Sequence, residues 1–138
     1  MHKNFLKFNF LIVLAGISGS LYFSEILKYP PCVLCWYQRI CLYPLVVIFG
    51  IGIWYNDNSY RKYALPLLVS GLVISGYHNL VYYGFVSEAL TPCTQGVSCS
   101  SRQLELFGYI TIPLLSLFAF ITCTYLTILS ASSNREQR

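Results

Sequence analysis

Charge is what this sequence has least of. Only 10% of its 138 residues are Asp, Glu, Lys or Arg, and 56% are hydrophobic, whereas an ordinary soluble domain carries roughly 25% charged residues. The shortage excludes a typical water-soluble domain and makes lipid the natural solvent. Also missing is any Pro-, Ser- or Gly-rich or low-complexity stretch that would divide the chain. At this length it reads as one domain, 1–138, with no room for a separate soluble catalytic unit. A basic stripe is lacking as well: the net charge of +4 comes from nine Lys and Arg scattered among apolar runs. That pattern excludes nucleic acid as a partner and makes the cations topology markers.

What is present is a series of long apolar runs. Residues 8–27 carry one charge, Glu25, at their far end, and about twenty such residues cross the roughly 30 Å hydrocarbon core. A cleaved signal peptide would have a shorter apolar core and an A-x-A-like site, so this run is read as a transmembrane helix. The second uncharged run, Ile40 to Tyr55, is only sixteen residues long, roughly 24 Å of helix. It reaches spanning length only if it begins at Cys35, giving a span of 35–55 that starts at a membrane surface. Residues 63–85 and 108–129 complete four spans. Pro44, Pro66 and Pro113 fall in early or middle turns, which lipid-embedded helices tolerate when neighbours satisfy the freed carbonyls. Gly16/Ser20 and Gly71/Ser75 are small residues four apart, read as close-packing positions.

The fold class expected is therefore an all-α membrane protein, a four-transmembrane-helix bundle. Lys3, Lys7, Arg61, Lys62, Arg135 and Arg138 mark one face and Lys28, Arg39 and Arg102 the other, so the positive-inside rule puts both termini in the cytoplasm. Segments 28–34 and 86–107 are then external. Within the second of these, Ser100 with Gln103 forms a capping-box pattern ahead of Leu104, Leu106 and Phe107, read as a short helix on the membrane surface. Trp36, Tyr37, Tyr82 and Tyr83 near one face and Trp54 and Tyr55 near the other fit ordinary aromatic belts.

Six cysteines in so short a chain call for disulfides, metal or redox work. On this topology Cys32, Cys35, Cys93 and Cys99 all lie on the oxidising side, while Cys41 and Cys123 sit inside spans as small apolar fillers. The strongest signal is Pro30-Pro31-Cys32-Val33-Leu34-Cys35-Trp36-Tyr37-Gln38-Arg39. Cysteines three apart at a helix start share a face, and the positive end of the helix dipole favours the thiolate. Thiolates both attack and leave in disulfide exchange. Arg39 follows Cys35 by four residues and Cys32 by seven, so a helix stacks it beneath both sulfurs. It is suited to stabilising a thiolate or a reduced quinone oxygen, or else to anchoring the helix at the interface. Cys93 and Cys99 are separated by five residues that include a glycine and small polar side chains, enough to close a disulfide loop. His78, deep in the third span, is either functional or a neutral histidine bonded across the bundle. A zinc site from C-x2-C with a later C-x5-C is disfavoured by its spacing and by an oxidising compartment, and no metal is expected.

At Cys-Val-Leu-Cys-Trp-Tyr-Gln-Arg the chain resembles the DsbB family of disulfide bond formation proteins. The resemblance runs over nearly its whole length: four helices, the C-x-x-C at the entrance to the second, and another pair between the third and fourth. The close spacing of Cys93 and Cys99 is similar to that of the BdbC-like branch. In the related vitamin K epoxide reductase family the loop pair precedes the C-x-x-C, whereas here it follows. The resemblance implies a relay in a bacterial cytoplasmic membrane. An extracytoplasmic thioredoxin-like thiol oxidase (DsbA/BdbD-like) attacks the pair Cys93/Cys99 at Cys93. Cys32/Cys35 reoxidises that pair and passes two electrons to a membrane quinone, with Cys35 facing the quinone and Gln38, Arg39 and His78 beside it. The alternatives from other classes are a structural tetraspan protein with two inert external disulfides and a thiolate metal-binding membrane protein.

Overall fold

The structure is a computed structural model that describes residues 2–28, 32–87, 89, 105–106 and 110–136. Among these are four helices: α1 (His2–Leu21), α2 (Val33–Tyr55), α3 (Tyr60–Tyr82) and α4 (Ile112–Glu136). Each belongs to a helical stretch long and apolar enough to cross a membrane. The expected all-α four-helix membrane architecture therefore holds. α1 packs on α2, α2 on α3 and α3 on α4, and α4 closes the ring against α1.

Each helix end has a local cause. α2 stops at Asn56, whose left-handed backbone (φ 50°) breaks the ladder, and the Asp57 side chain accepts the Ser59 N–H (2.9 Å) before α3 begins. So short a connection makes α2 and α3 antiparallel neighbours. α3 ends in a Schellman motif: Gly84 takes φ +81°, its N–H donates to the Val81 carbonyl, and the Phe85 N–H donates to the Leu80 carbonyl (2.9 Å). The helix consequently stops at Tyr82, three residues short of the expected span end. α4 starts at Ile112, later than the expected Gly108, with Pro113 in its first turn, where a missing N–H costs nothing. At the opposite ends the helices outrun the expected spans, because Lys3, Lys7, Arg61 and Lys62 lie within the first turns of α1 and α3. Their long stems let the charge reach water from a helical backbone.

Of the surface helix expected over residues 100–107, only Glu105 and Leu106 are described, and they are extended rather than helical. Glu105–Leu106 forms a short strand, β1, paired antiparallel with β2 (Ile110–Thr111), Glu105 opposite Thr111 and Leu106 opposite Ile110. β-branched Ile110 and Thr111 favour an extended backbone ahead of Pro113. The proposed capping pair Ser100 and Gln103 lies outside the described residues.

The core between the helices holds Leu45, Phe49, Ala64 and Leu68, all fully buried, with Phe120 and Cys123 from α4. Large apolar side chains such as Val47, Val73, Phe118 and Ile128 are instead exposed around the outside, as a lipid-facing surface requires. Gly71 is a true close-packing position: a Cβ there would overlap the Phe120 ring. Polar contacts tie helices together within the apolar surroundings. Asn9 donates to Thr127 (2.9 Å), Tyr60 and Ser130 share a hydrogen bond (3.1 Å), and Asn79 donates to the Pro113 carbonyl (2.9 Å).

Candidate functional site

Cys32 is the N-cap of α2, with extended backbone (φ −72°, ψ 170°), and its carbonyl accepts the Trp36 N–H to open the helical ladder. Cys35 lies one turn further, and the two sulfurs are 3.0 Å apart. The pair thus sits where the unpaired N–H groups of the first turn stabilise negative charge. Cys32 is buried against Leu34 and Val81. Its thiol, one residue ahead of the span, is held well below the ordinary thiol range, first by the hydrogen bond with Cys35 and then by His78, against a burial that acts the other way.

His78 reaches this pair from α3. Because α3 ends at Tyr82, His78 lies four residues from the helix end, about 6 Å along the axis, level with the head of α2. One ring nitrogen, Nε2, is 3.7 Å from Cys32 Sγ, and the other, Nδ1, is 3.2 Å from Gln38 Nε2. The Gln38 amide N–H is placed to donate to Nδ1, the arrangement in which a neutral ring carries its proton on Nε2, toward Cys32. Gln38 and His78 are both buried, so each depends on the other for a partner. His78 is thus bonded across the bundle, from α3 to α2, and the groups it meets are the cysteine pair and Gln38.

On its other side Cys35 borders a partly open cavity of about 270 Å3 lined by α1, α2 and α4, with Leu68 from α3. Its walls are mostly apolar, and Gln38, Arg39 and Ser20 supply convergent polar groups, the usual composition of a small-molecule pocket. Cys32 and His78 are not among the lining residues. Gly16, read from sequence as a close-packing residue, plays a different part: a Cβ on it or on Gly19 would meet nothing within 4 Å, and both residues border the cavity. The π-helical turn Tyr22–Ile26 continues α1 and brings Phe23 and Ser24 to the same cavity. Such wide turns recur at functional sites.

Arg39 is buried at the cavity wall, 6% exposed. Its Nε donates to Ser20 Oγ and an Nη donates to the Ser20 carbonyl, both at 2.7 Å, while Cζ lies 5.3 Å from the Trp36 ring centroid. Among the described residues these partners are all neutral. A permanent cation so placed favours an anion beside it. Sequence spacing alone puts Arg39 beneath the cysteines, but the part of Ser20 was not legible as such: that residue carries only the small-xxx-small signal it shares with Gly16.

Cys41 and Cys123 are buried in the core as expected, Cys41 with Ser70 as a 3.7 Å neighbour. Cys123 also borders the cavity. Cys93 and Cys99 lie outside the described residues. Cys32, Cys35 and His78 offer ligand atoms that all fall within 4.8 Å of one another.

Known proteins resemble the chain over most of its length. A family model described as "Disulfide bond formation protein DsbB" matches residues 2–130. The chain is 47% identical over 117 residues, 85% of each chain, to "Disulfide bond formation protein C" of Bacillus subtilis. It is 39% identical to a "Probable disulfide formation protein" of Metapseudomonas resinovorans, covering 94% of this chain and 90% of that one. A "Probable disulfide formation protein" of Chlamydia caviae is 42% identical over 98% of this chain and 97% of its own. No solved structure matches significantly.

Proposed function

The chain belongs to the DsbB family of disulfide bond formation proteins, and on that premise we propose that it is a quinone-dependent thiol oxidase. It works as one four-helix unit in a bacterial cytoplasmic membrane, with both termini inside and its redox cysteines outside. Its partner is an extracytoplasmic thioredoxin-like dithiol oxidase.

The observation that carries the reading is the double placement of Cys35, 3.0 Å from Cys32 Sγ and open to an apolar cavity that also holds Gln38 and Arg39. A volume of about 270 Å3 is just under the roughly 300 Å3 at which small-molecule pockets begin. It suits a flat ring head group, with any isoprenoid tail left in lipid beside Gly16 and Gly19. A quinone bound there supplies a two-electron, two-proton acceptor.

The chain's own residues perform the thiol steps. The partner's thiolate attacks the Cys93–Cys99 disulfide at Cys93, and the second partner thiol displaces Cys93, leaving the partner oxidised and Cys93/Cys99 as a dithiol. That dithiol attacks the Cys32–Cys35 disulfide and leaves it reduced. Cys32, its thiolate favoured by the hydrogen bonds of Cys35 and His78, and Cys35, on the cavity wall, would then re-form their disulfide, giving the two electrons to a quinone held beside Gln38 and Arg39, with one proton from Cys35 and one from water. The net exchange is one dithiol oxidised for one quinone reduced. Arg39 holds its N–H groups against the cavity, where they stabilise negative charge on Cys35 or on the acceptor. Gln38 fixes the His78 ring so that its Nε2–H faces Cys32.

Turnover tests the proposal. The purified chain, given reduced thioredoxin-like oxidase from the same genome and ubiquinone or menaquinone, should consume one quinone per partner disulfide formed. Cys35→Ser should abolish the reaction. A chain that neither exchanges thiols nor reduces quinone would be a structural tetraspan protein.

A further inference from the structure

Cys32, Cys35 and His78 form a second kind of site on the face of the cysteine pair away from the cavity. We propose that, in the reduced chain, these three side chains bind a soft divalent cation such as zinc or cadmium, and that binding withdraws both thiolates from disulfide exchange.

The geometry is close to what such an ion needs. Tetrahedral zinc with Zn–S near 2.3 Å and Zn–N near 2.05 Å sets sulfurs about 3.8 Å apart and sulfur to nitrogen about 3.6 Å apart. Cys32 Sγ and His78 Nε2 already stand at 3.7 Å, the two sulfurs stand at 3.0 Å, and the three ligand atoms fall within 4.8 Å. A change of about 0.8 Å between the sulfurs completes the arrangement, within reach of small side-chain rotations at a helix entry.

Charge and second contacts suit the ion as well. Two thiolates, a neutral imidazole and a divalent cation sum to zero, so the complex meets little of the penalty that isolated charge meets at a buried position. Binding takes up the two thiolates, releasing a proton only where a thiol is still protonated, and changes no oxidation state: M2+ + 2 RS− + His gives M(SR)2(His). The imidazole must present a lone pair at Nε2, which requires its proton on Nδ1. Gln38 lies 3.2 Å from Nδ1, and a half-turn of its amide replaces the donated N–H with an accepting carbonyl oxygen. Turned that way, the Gln38 carbonyl oxygen takes the outer-sphere place that a carboxylate, backbone carbonyl or water usually fills beside a histidine ligand. Three side-chain ligands leave the fourth tetrahedral position for a water or a halide.

The ion and the quinone reaction stand apart, since the ion requires the reduced pair and neither quinone nor partner. The test uses cadmium chloride on detergent-purified chain carrying Cys93→Ser and Cys99→Ser, which removes the competing loop thiols. Binding is read by equilibrium dialysis and by thiolate-to-cadmium charge-transfer absorption. One cadmium per reduced chain is expected, and none after diamide oxidises Cys32 and Cys35. His78→Ala and His78→Gln should each weaken binding at least as much as the roughly tenfold that loss of an outer-sphere partner brings. Gln38→Ala should weaken it less than either. Far-ultraviolet circular dichroism monitors folding, and the oxidised parent needs no substitution at all. Equal binding by the oxidised chain, or binding by folded His78→Gln as tight as the parent's, would overturn the proposal.

Discussion

Replacing Arg39 by Lys keeps the charge and removes the planar fork, which makes it the sharpest probe of the cavity wall. The guanidinium has five N–H donors, of which two are directed at Ser20 at 2.7 Å, leaving three without a hydrogen-bond partner among the described residues. An ammonium carries three on a single nitrogen, so holding both Ser20 acceptors would leave it one. Removing an oriented donor from a site of developing negative charge costs about 2.7 to 4 kcal/mol, a hundred- to a thousandfold in rate. Arg39→Ala should therefore lose at least about a hundredfold in quinone turnover. Arg39→Lys, which retains charge with poorer aim, should fall between that and the parent. Ser20→Ala removes one of the two tethers and should lose about tenfold or less, through aim alone. The assay is quinone reduction by chain whose cysteine pair has been reduced chemically, run beside formation of the mixed disulfide with the partner, which should be nearly unchanged. Wild-type quinone kinetics in normally inserted Arg39→Ala would leave Arg39 as no more than a tie between α2 and α1, and the quinone would have to lie elsewhere.

Four further outcomes are expected. Alkylation of reduced Cys32 should stay nearly constant from about pH 8 to about pH 6, where an ordinary thiol slows about a hundredfold, because the thiolate persists until pH falls through its lowered pKa. Cys35→Ala removes the largest cause of that lowering, so alkylation should then fall with pH at higher values; a parent that already follows the ordinary thiol profile would contradict this. Cys99→Ala should trap a partner adduct at Cys93, mapped by mass spectrometry, and an adduct at Cys32 instead would reverse the proposed order of exchange. Gly71→Val should overlap the Phe120 ring and destabilise the bundle by about 1 to 3 kcal/mol, seen as a lower unfolding temperature in detergent, whereas Gly16→Ala meets open space and should leave that temperature nearly unchanged. Impermeant maleimide should label reduced Cys93 in intact spheroplasts and residues 56–62, after cysteine substitution, only once the membrane is opened; the opposite pattern would invert the topology.

The parts legible in the sequence are those with short-range causes. The C-x-x-C spacing and the shortness of the run from Ile40 place Cys35 in the first turns of α2, because a helix either reaches across the membrane or does not. Arg39 follows from the helical repeat. The expected end of α3 lies too far along the chain, because an apolar count sees Phe85 as continuous with Tyr82, while the Gly84 N–H bond to Val81 and the Phe85 N–H bond to Leu80 stop the helix. That error also put His78 too deep; its meeting with Cys32 depends on how α3 packs against α2, which no local pattern encodes. Gly16 and Gly71 carry the same small-residue signal and end in opposite circumstances, one at an open cavity and one under an aromatic ring. Whether a small residue admits a neighbouring helix or leaves space for a ligand is settled by the facing helix, here α4. Ser20 was obscured for the same reason: its significance comes from Arg39, nineteen residues away.

The most direct measurement is a single turnover without the partner. Chain carrying Cys93→Ser and Cys99→Ser, reduced at Cys32 and Cys35 and freed of reductant, is mixed with quinone while quinone absorbance and free thiols are followed together. One quinone reduced and two thiols lost per chain are expected, with no quinone reduction in Cys35→Ser and slowed reduction in Arg39→Ala. Loss of the thiols without reduction of quinone, or reduction of quinone by Cys35→Ser at the parent's rate, would contradict a direct transfer of electrons from this cysteine pair.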